Sequence, residues 1–153
     1  MSAFSLIGTW SLVSFELQSS SGEISYPYGI APVGYILYGD DGFMSVAIMS
    51  TGRQRFVTND IFGGTSEEKI SAFGTYLSYS GSYEIARERV LHRIEASLFP
   101  NWVGTAQERI VNLQGDRLQL STDPQVLGGL QQIARLVFKR VHNAQEPYHA
   151  GDR

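Results

Sequence analysis

The chain is predicted to be all-β, a single eight-stranded, mainly antiparallel barrel with one short helix. Three observations predict it. Strand-length runs enriched in aromatic and β-branched residues recur from residue 8 to residue 142, with turn residues between them. The first run opens on Gly8-Thr9-Trp10, and an indole so near the start needs cover from a distant segment, because one strand cannot bury it. The last run, 133–142, supplies that cover, and its return beside the first closes the sheet. A closed sheet of about eight strands has room for one small ligand.

The elements follow in order. Residues 9–17 read as the first strand, and the Ser-rich stretch 18–22 as a turn. Residues 26–32 hold two prolines and a glycine and form a connector, since proline cannot donate to a ladder. The apolar runs 34–38 and 43–49 flank Gly39-Asp40-Asp41-Gly42, a hairpin signal, because Asp-Gly supplies the positive φ angles of a tight turn. Thr65 and Glu68 stand at capping-box spacing, and Ile70, Phe73, Tyr76 and Leu77 follow at helical period, which predicts a helix over 66–78 ended by Gly81. Its apolar residues are expected to be core contacts, with the helix covering one barrel end. Strands are then expected over 82–86, 89–97, 104–113, 117–121 and 133–142, with a loop at 123–130. The barrel domain is taken as 1–142 and residues 143–153 as a tail that frays.

Composition bounds the function. At 153 residues with 42% hydrophobic and 18% charged, the chain is a globular domain rather than a disordered one. Twelve basic and 15 acidic residues give a net charge of −3 with no basic stripe, which argues against nucleic acid or an anionic membrane as partner. There is no cysteine, so disulfides, thiolate catalysis and cysteine-bound metals are excluded. The opening Met1-Ser2-Ala3-Phe4-Ser5 has no positive n-region, and no run approaches the ~20 apolar residues of a membrane span, so a cytoplasmic location is expected. His92, His142 and His149 show no metal-ligand spacing, and there is no phosphate-cradling or dinucleotide motif. Any chemistry here is expected to proceed without cofactor or metal.

The sequence resembles the lipocalin-like domain family, a group with calycin-type barrels. The resemblance is carried by the run from Gly8 to Glu16, Tyr28-Gly29, Gly34-Tyr35 to Tyr38, and Asp41-Gly42-x-Met44-Ser45-Val46. It continues through Glu67-Glu68, Gly81-x-Tyr83, His92, Pro100-Asn101-x-x-Gly104, Arg109 and Leu118-x-Leu120-x-Thr122. The last strand departs from the pattern, with Phe138 where a Trp is expected. The resemblance implies a ligand-binding cavity and a late Arg, here Arg140, packed on the first-strand Trp10. It names no substrate, because the fold hosts carriers and enzymes alike.

Alternation assigns faces. On 89–97 the charged set Arg89, Arg93 and Glu95 must face out, so His92 points inward with Val90 and Ile94. On the next strand parity alone leaves the choice open, and the resemblance selects the face of Gln107 and Arg109. On the first strand Trp10, Leu12, Ser14 and Glu16 share parity, which places Glu16 inside and Val13 and Phe15 outside. A buried Arg keeps its charge and needs a partner. Two readings therefore stand. Arg109 pairs with Glu16 and His92 bonds a hydroxyl, as internal structure; or Arg109 holds a ligand oxygen, His92 acts as acid or base, and Glu16 orients it or serves as a second base. Trp102 and Asn101, in a loop at a strand end, are candidate rim residues. Gln107, Tyr83 and Tyr35 are further candidate ligand contacts, part of an unusual density of phenols that also includes Tyr38, Tyr76 and Tyr79.

The functional expectation is a barrel that binds a small, largely apolar metabolite and transforms it without cofactor, by isomerase-, cyclase- or dehydratase-type acid–base chemistry in a biosynthetic pathway of secondary metabolism. The alternative is a carrier or storage protein that leaves its ligand unchanged. The expected partner is that hydrophobic small molecule alone, with the protein a monomer or homodimer.

Overall fold

The structure, a computed structural model, describes residues 5–143. Ten strands form one antiparallel sheet: β1 (Gly8–Ser19), β2 (Ile24–Ser25), β3 (Val33–Tyr38), β4 (Phe43–Met49), β5 (Tyr76–Ala86), β6 (Arg89–Ser97), β7 (Ala106–Gln114), β8 (Arg117–Ser121), β9 (Gln125–Leu127) and β10 (Leu130–Arg140). Their order is β2-β1-β3-β4-β5-β6-β7-β8-β10-β9, and β1 also pairs with β10. That pairing closes eight strands into the expected barrel, with β2 and β9 as short additions. All of the tail 143–153 except Asn143 lies outside the described residues.

The two ends differ because the connections do. Tight turns join β3–β4, β5–β6 and β7–β8 at one end. The long segments 20–32, 50–75, 98–105 and 122–129 all emerge at the other. The tight end is sealed. Trp10 is fully buried and donates from Nε1 to the Leu6 carbonyl at 2.9 Å, while Leu6 is itself fully buried. The Arg140 guanidinium lies 4.1 Å from the Trp10 ring centroid and donates to the Ile7 carbonyl at 3.0 Å. Phe138 is fully buried beside Leu12, so the aromatic role at that position survives the loss of a Trp.

Two expectations are corrected. The helix α1 (Ser66–Gly74) has its full capping box, with Thr65 Oγ1 accepting from Glu68 N and Glu68 Oε1 from Thr65 N. It ends at Gly74, four residues short of the predicted length. Tyr76 and Leu77 belong to β5, where Met49 and Ile48 of β4 pair with them and strand pairing overrides the helical period. Ile70 and Phe73 are exposed and α1 buries no residue, so it is not a plug built on core contacts. Gly81 is not a helix stop. It sits where the β5–β6 register shifts, and a Cβ there would lie 1.8 Å from the Arg93 carbonyl oxygen.

The second correction is in β1. The register with β10 shifts between Leu12 and Ser14, so Val13 is a bulge residue, half exposed. A bulge inserts one residue and reverses the facing of everything after it. Trp10 and Leu12 face the lumen as expected, but beyond Val13 it is Phe15 and Leu17 that face in and Glu16 that faces out.

Candidate functional site

The lumen opens toward the long connections as a cavity of about 310 Å³. Its wall is mostly apolar, including Phe15, Leu17, Ile36, Leu77, Leu120, Leu127 and Phe138, with Tyr28 and Trp102 near the mouth. Trp102 is held in a 3-10 turn (Pro100–Trp102), edge-on to Tyr79 and Phe99 with centroids 5.6 Å away in both cases. Its neighbour Asn101 is exposed to solvent.

The wall carries one cluster of ionisable side chains, drawn from three strands, with Thr122 and Gln125 as further polar lining residues. Tyr79 on β5, His92 on β6 and Arg109 on β7 all line the cavity. His92 is 1% exposed, as strand alternation requires, and both ring nitrogens are engaged. Nε2 lies 2.6 Å from the Tyr38 hydroxyl and Nδ1 lies 2.8 Å from the Tyr79 hydroxyl. Burial, reinforced by the Arg109 charge, pushes the His92 pKa down to about 3, so the imidazole is neutral at ordinary pH. Burial also raises both phenols above their usual range, while Arg109 works in the opposite direction on each. Arg109 is half-buried and donates from Nη1 to the Glu108 carbonyl at 3.0 Å. The ion pairs among the described residues involve Arg89, Arg93, Arg135, Arg140 and His142, and leave Arg109 out.

The remaining candidates sit elsewhere. Glu16, outside because of the bulge, pairs with Arg135 at 2.6 Å rather than with Arg109. Tyr83 is directed into the closed end, donating to the Gly39 carbonyl at 2.7 Å and packing edge-on against Tyr38. Gln107 stands across from His92 in the β6–β7 register without lining the cavity. Tyr35 is on the outer face, because Ile36 and Tyr38 take the inner one. The structure thus groups His92, Arg109 and Trp102 around one void and separates them from Glu16, Asn101, Gln107, Tyr83 and Tyr35. Sequence reasoning did not single out Tyr38 and Tyr79 from the other phenols. The parity signal was available for Tyr38, which shares a face with Ile36 in a clean alternation.

A mostly apolar pocket with a few polar side chains on its wall is what a small-molecule site looks like. The lipocalin-like domain family model matches residues 7–141. The chain belongs to the lipocalin-like domain family. The 4'-hydroxy-3'-methoxypropiophenone carrier protein ppsC of Aspergillus oryzae is 36% identical over 107 residues, which span 64% of this chain and 96% of that protein. Family and geometry agree on a lipocalin-like barrel that binds a small molecule in its lumen. No helix among the described residues is long and apolar enough to cross a membrane.

Proposed function

We propose that this lipocalin-like protein carries a small, largely apolar aromatic molecule, admitted past Trp102 and seated against Tyr79, His92 and Arg109. The observation that carries this reading is the cluster of Tyr79, His92 and Arg109 on the wall of a mostly apolar cavity of about 310 Å³. That volume is at the lower end of the ~300–1,000 Å³ typical of ligand pockets, a size suited to one or two rings. The similarity to a protein named as the carrier of an aryl ketone supports a ligand of that class. We place its work in the cytoplasm, in a biosynthetic pathway of secondary metabolism, as a monomer or homodimer.

A second reading keeps the same pocket but makes it an isomerase, cyclase or dehydratase. What favours it is the Tyr79 phenol beside a permanent cation, a pairing that can stabilise an enolate oxygen and return a proton to it. In this reading Tyr79 is the acid, since a His92 with a pKa of about 3 is a neutral imidazole rather than an imidazolium at neutral pH, and both of its nitrogens are engaged by Tyr38 and Tyr79.

Titration with 4'-hydroxy-3'-methoxypropiophenone tests the first reading. Saturable quenching of tryptophan fluorescence that disappears in Trp102→Phe is expected, since Trp10 lies at the sealed end. No saturable binding by calorimetry overturns it. Recovery of the ligand unchanged after prolonged incubation supports a carrier, whereas a new product that Tyr79→Phe no longer forms supports the enzyme.

A further inference from the structure

The protons of the Tyr38–His92–Tyr79 chain can be counted. Two phenols and a neutral imidazole hold three hydrogen-bonding protons between them. The chain has two links, at 2.6 Å and 2.8 Å. The one ring N–H makes one link, and the phenol facing the bare ring nitrogen makes the other. One phenolic O–H is therefore left over, and the tautomer of His92 decides which.

With the ring proton on Nε2, the spare donor is Tyr38. That side chain is 2% exposed, does not line the cavity, and has no other hydroxyl partner among the described residues. An unmade donor in such a place carries the full cost of its desolvation. With the proton on Nδ1, Tyr38 donates to Nε2, Nδ1 donates to the Tyr79 oxygen, and the spare O–H belongs to Tyr79. Tyr79 lines the cavity next to Arg109, a group that only donates.

We propose that Tyr38 locks His92 as the Nδ1–H tautomer, so that Tyr79 and Arg109 present donors alone to the lumen and select a ligand whose buried end is a carbonyl oxygen. Tyr38 is a positioning residue in this scheme, and His92, whose ring lines the cavity while both its nitrogens are engaged, acts on the ligand's polar end through Tyr79; Tyr79 and Arg109 make the hydrogen bonds to the ligand. The carbonyl accepts from both, while the rest of the ligand lies against the apolar wall. The proposal rests on the binding reading above and adds to it the chemistry and orientation of the ligand's polar end.

Two measurements test it. Nitrogen-15 NMR of histidine-labelled protein reads the tautomer directly, with a protonated Nδ1 and a bare Nε2 expected at His92. A bare Nδ1 overturns the proposal. Calorimetry then compares 4-methoxypropiophenone with 4-propylanisole, in which a methylene replaces the carbonyl. The ketone is expected to bind roughly tenfold more tightly, equivalent to about 1.4 kcal/mol. Tyr79→Phe should reduce that preference to about twofold or less while the affinity for 4-propylanisole holds. Arg109→Met should reduce it as well, and serves if Tyr79→Phe does not fold. Equal binding of the two probes by the wild type, or an unchanged preference in both variants, overturns the proposal and leaves the carrier reading standing. If neither probe binds, the carrier reading falls, and the selection of a carbonyl falls with it.

Discussion

The Tyr38 hydroxyl lies 2.6 Å from Nε2 of His92 in a part of the barrel closed to solvent. Protonating His92 would place a charge where burial keeps water from solvating it, and would set it near the Arg109 cation. Folding therefore depresses the pKa of this histidine, from 6.5 to about 3. Below pH 6.5 the unfolded chain takes up a proton that the folded chain refuses, so stability is complete above that pH and is lost as pH falls toward 3. The loss is on the order of a few kcal/mol in total. Urea midpoints are expected to fall steadily from about pH 6.5 to roughly 4.5, above the main carboxylate range. His92→Gln should flatten that limb, and a slope unchanged in the variant would refute the assignment.

The seal at the closed end gives a second expectation. Arg140 stacks on Trp10 and also reaches the Ile7 carbonyl and Asp116. A partly desolvated cation–π contact contributes about 1–2 kcal/mol, and the solvent-exposed hydrogen bond to the Ile7 carbonyl adds to it. Arg140→Ala should destabilise the protein by about 2 kcal/mol in urea denaturation. Arg140→Met, which keeps the packing and removes the charge, should recover less than half of that. Full recovery would show that packing alone holds the lid.

Two glycines are expected to respond with opposite signs. A methyl group at Gly81 meets the Arg93 carbonyl at 1.8 Å, which backbone cannot yield without breaking the register shift of β5 on β6. Gly81→Ala should cost about 3 kcal/mol or more, at the upper end of overpacking effects. At Gly74, in the last turn of α1, a Cβ meets nothing within 4 Å. Gly74→Ala should stabilise by about 0.5–1 kcal/mol, because the unfolded chain loses freedom that the helix never used. Thermal denaturation of the two variants side by side checks both signs.

The bulge at Val13 separates neighbours in sequence into different roles. Glu16, paired with Arg135 on the outer face, should tolerate Glu16→Gln with less than about 1 kcal/mol lost and little change in ligand affinity. Leu17 lines the cavity, so Leu17→Glu should put a carboxylate on an apolar wall and weaken binding of an apolar ligand by more than tenfold. Calorimetry with the aryl ketone reads both, and a strong effect of Glu16→Gln on affinity would return that carboxylate to the lumen.

Much of this protein is legible from local pattern. The Asp-Gly hairpin at Asp41-Gly42, the capping box at Thr65 and Glu68, and the inward set Val90, His92 and Ile94 all depend on neighbours within a few residues. The Trp10 near the start demanded a distant cover, and β10 is that cover. Local pattern failed where a single residue changes the count. Val13 reversed the faces of Phe15 and Glu16, and Tyr76 and Leu77 fitted a helical period by coincidence while their partners in β4 drew them into a strand.

Period and turn chemistry thus sufficed to specify a closed barrel with an imidazole inside it, because alternation and turn formation are short-range effects carried by each segment alone. The Tyr38–His92–Tyr79 chain, the ion pair that takes Glu16 away from Arg109, and the void itself were decided by tertiary structure. Each depends on register between strands up to 119 positions apart, as in the pairing of Glu16 with Arg135. One bulge shifts that register by a residue, and no segment read by itself records where its partner strand will meet it.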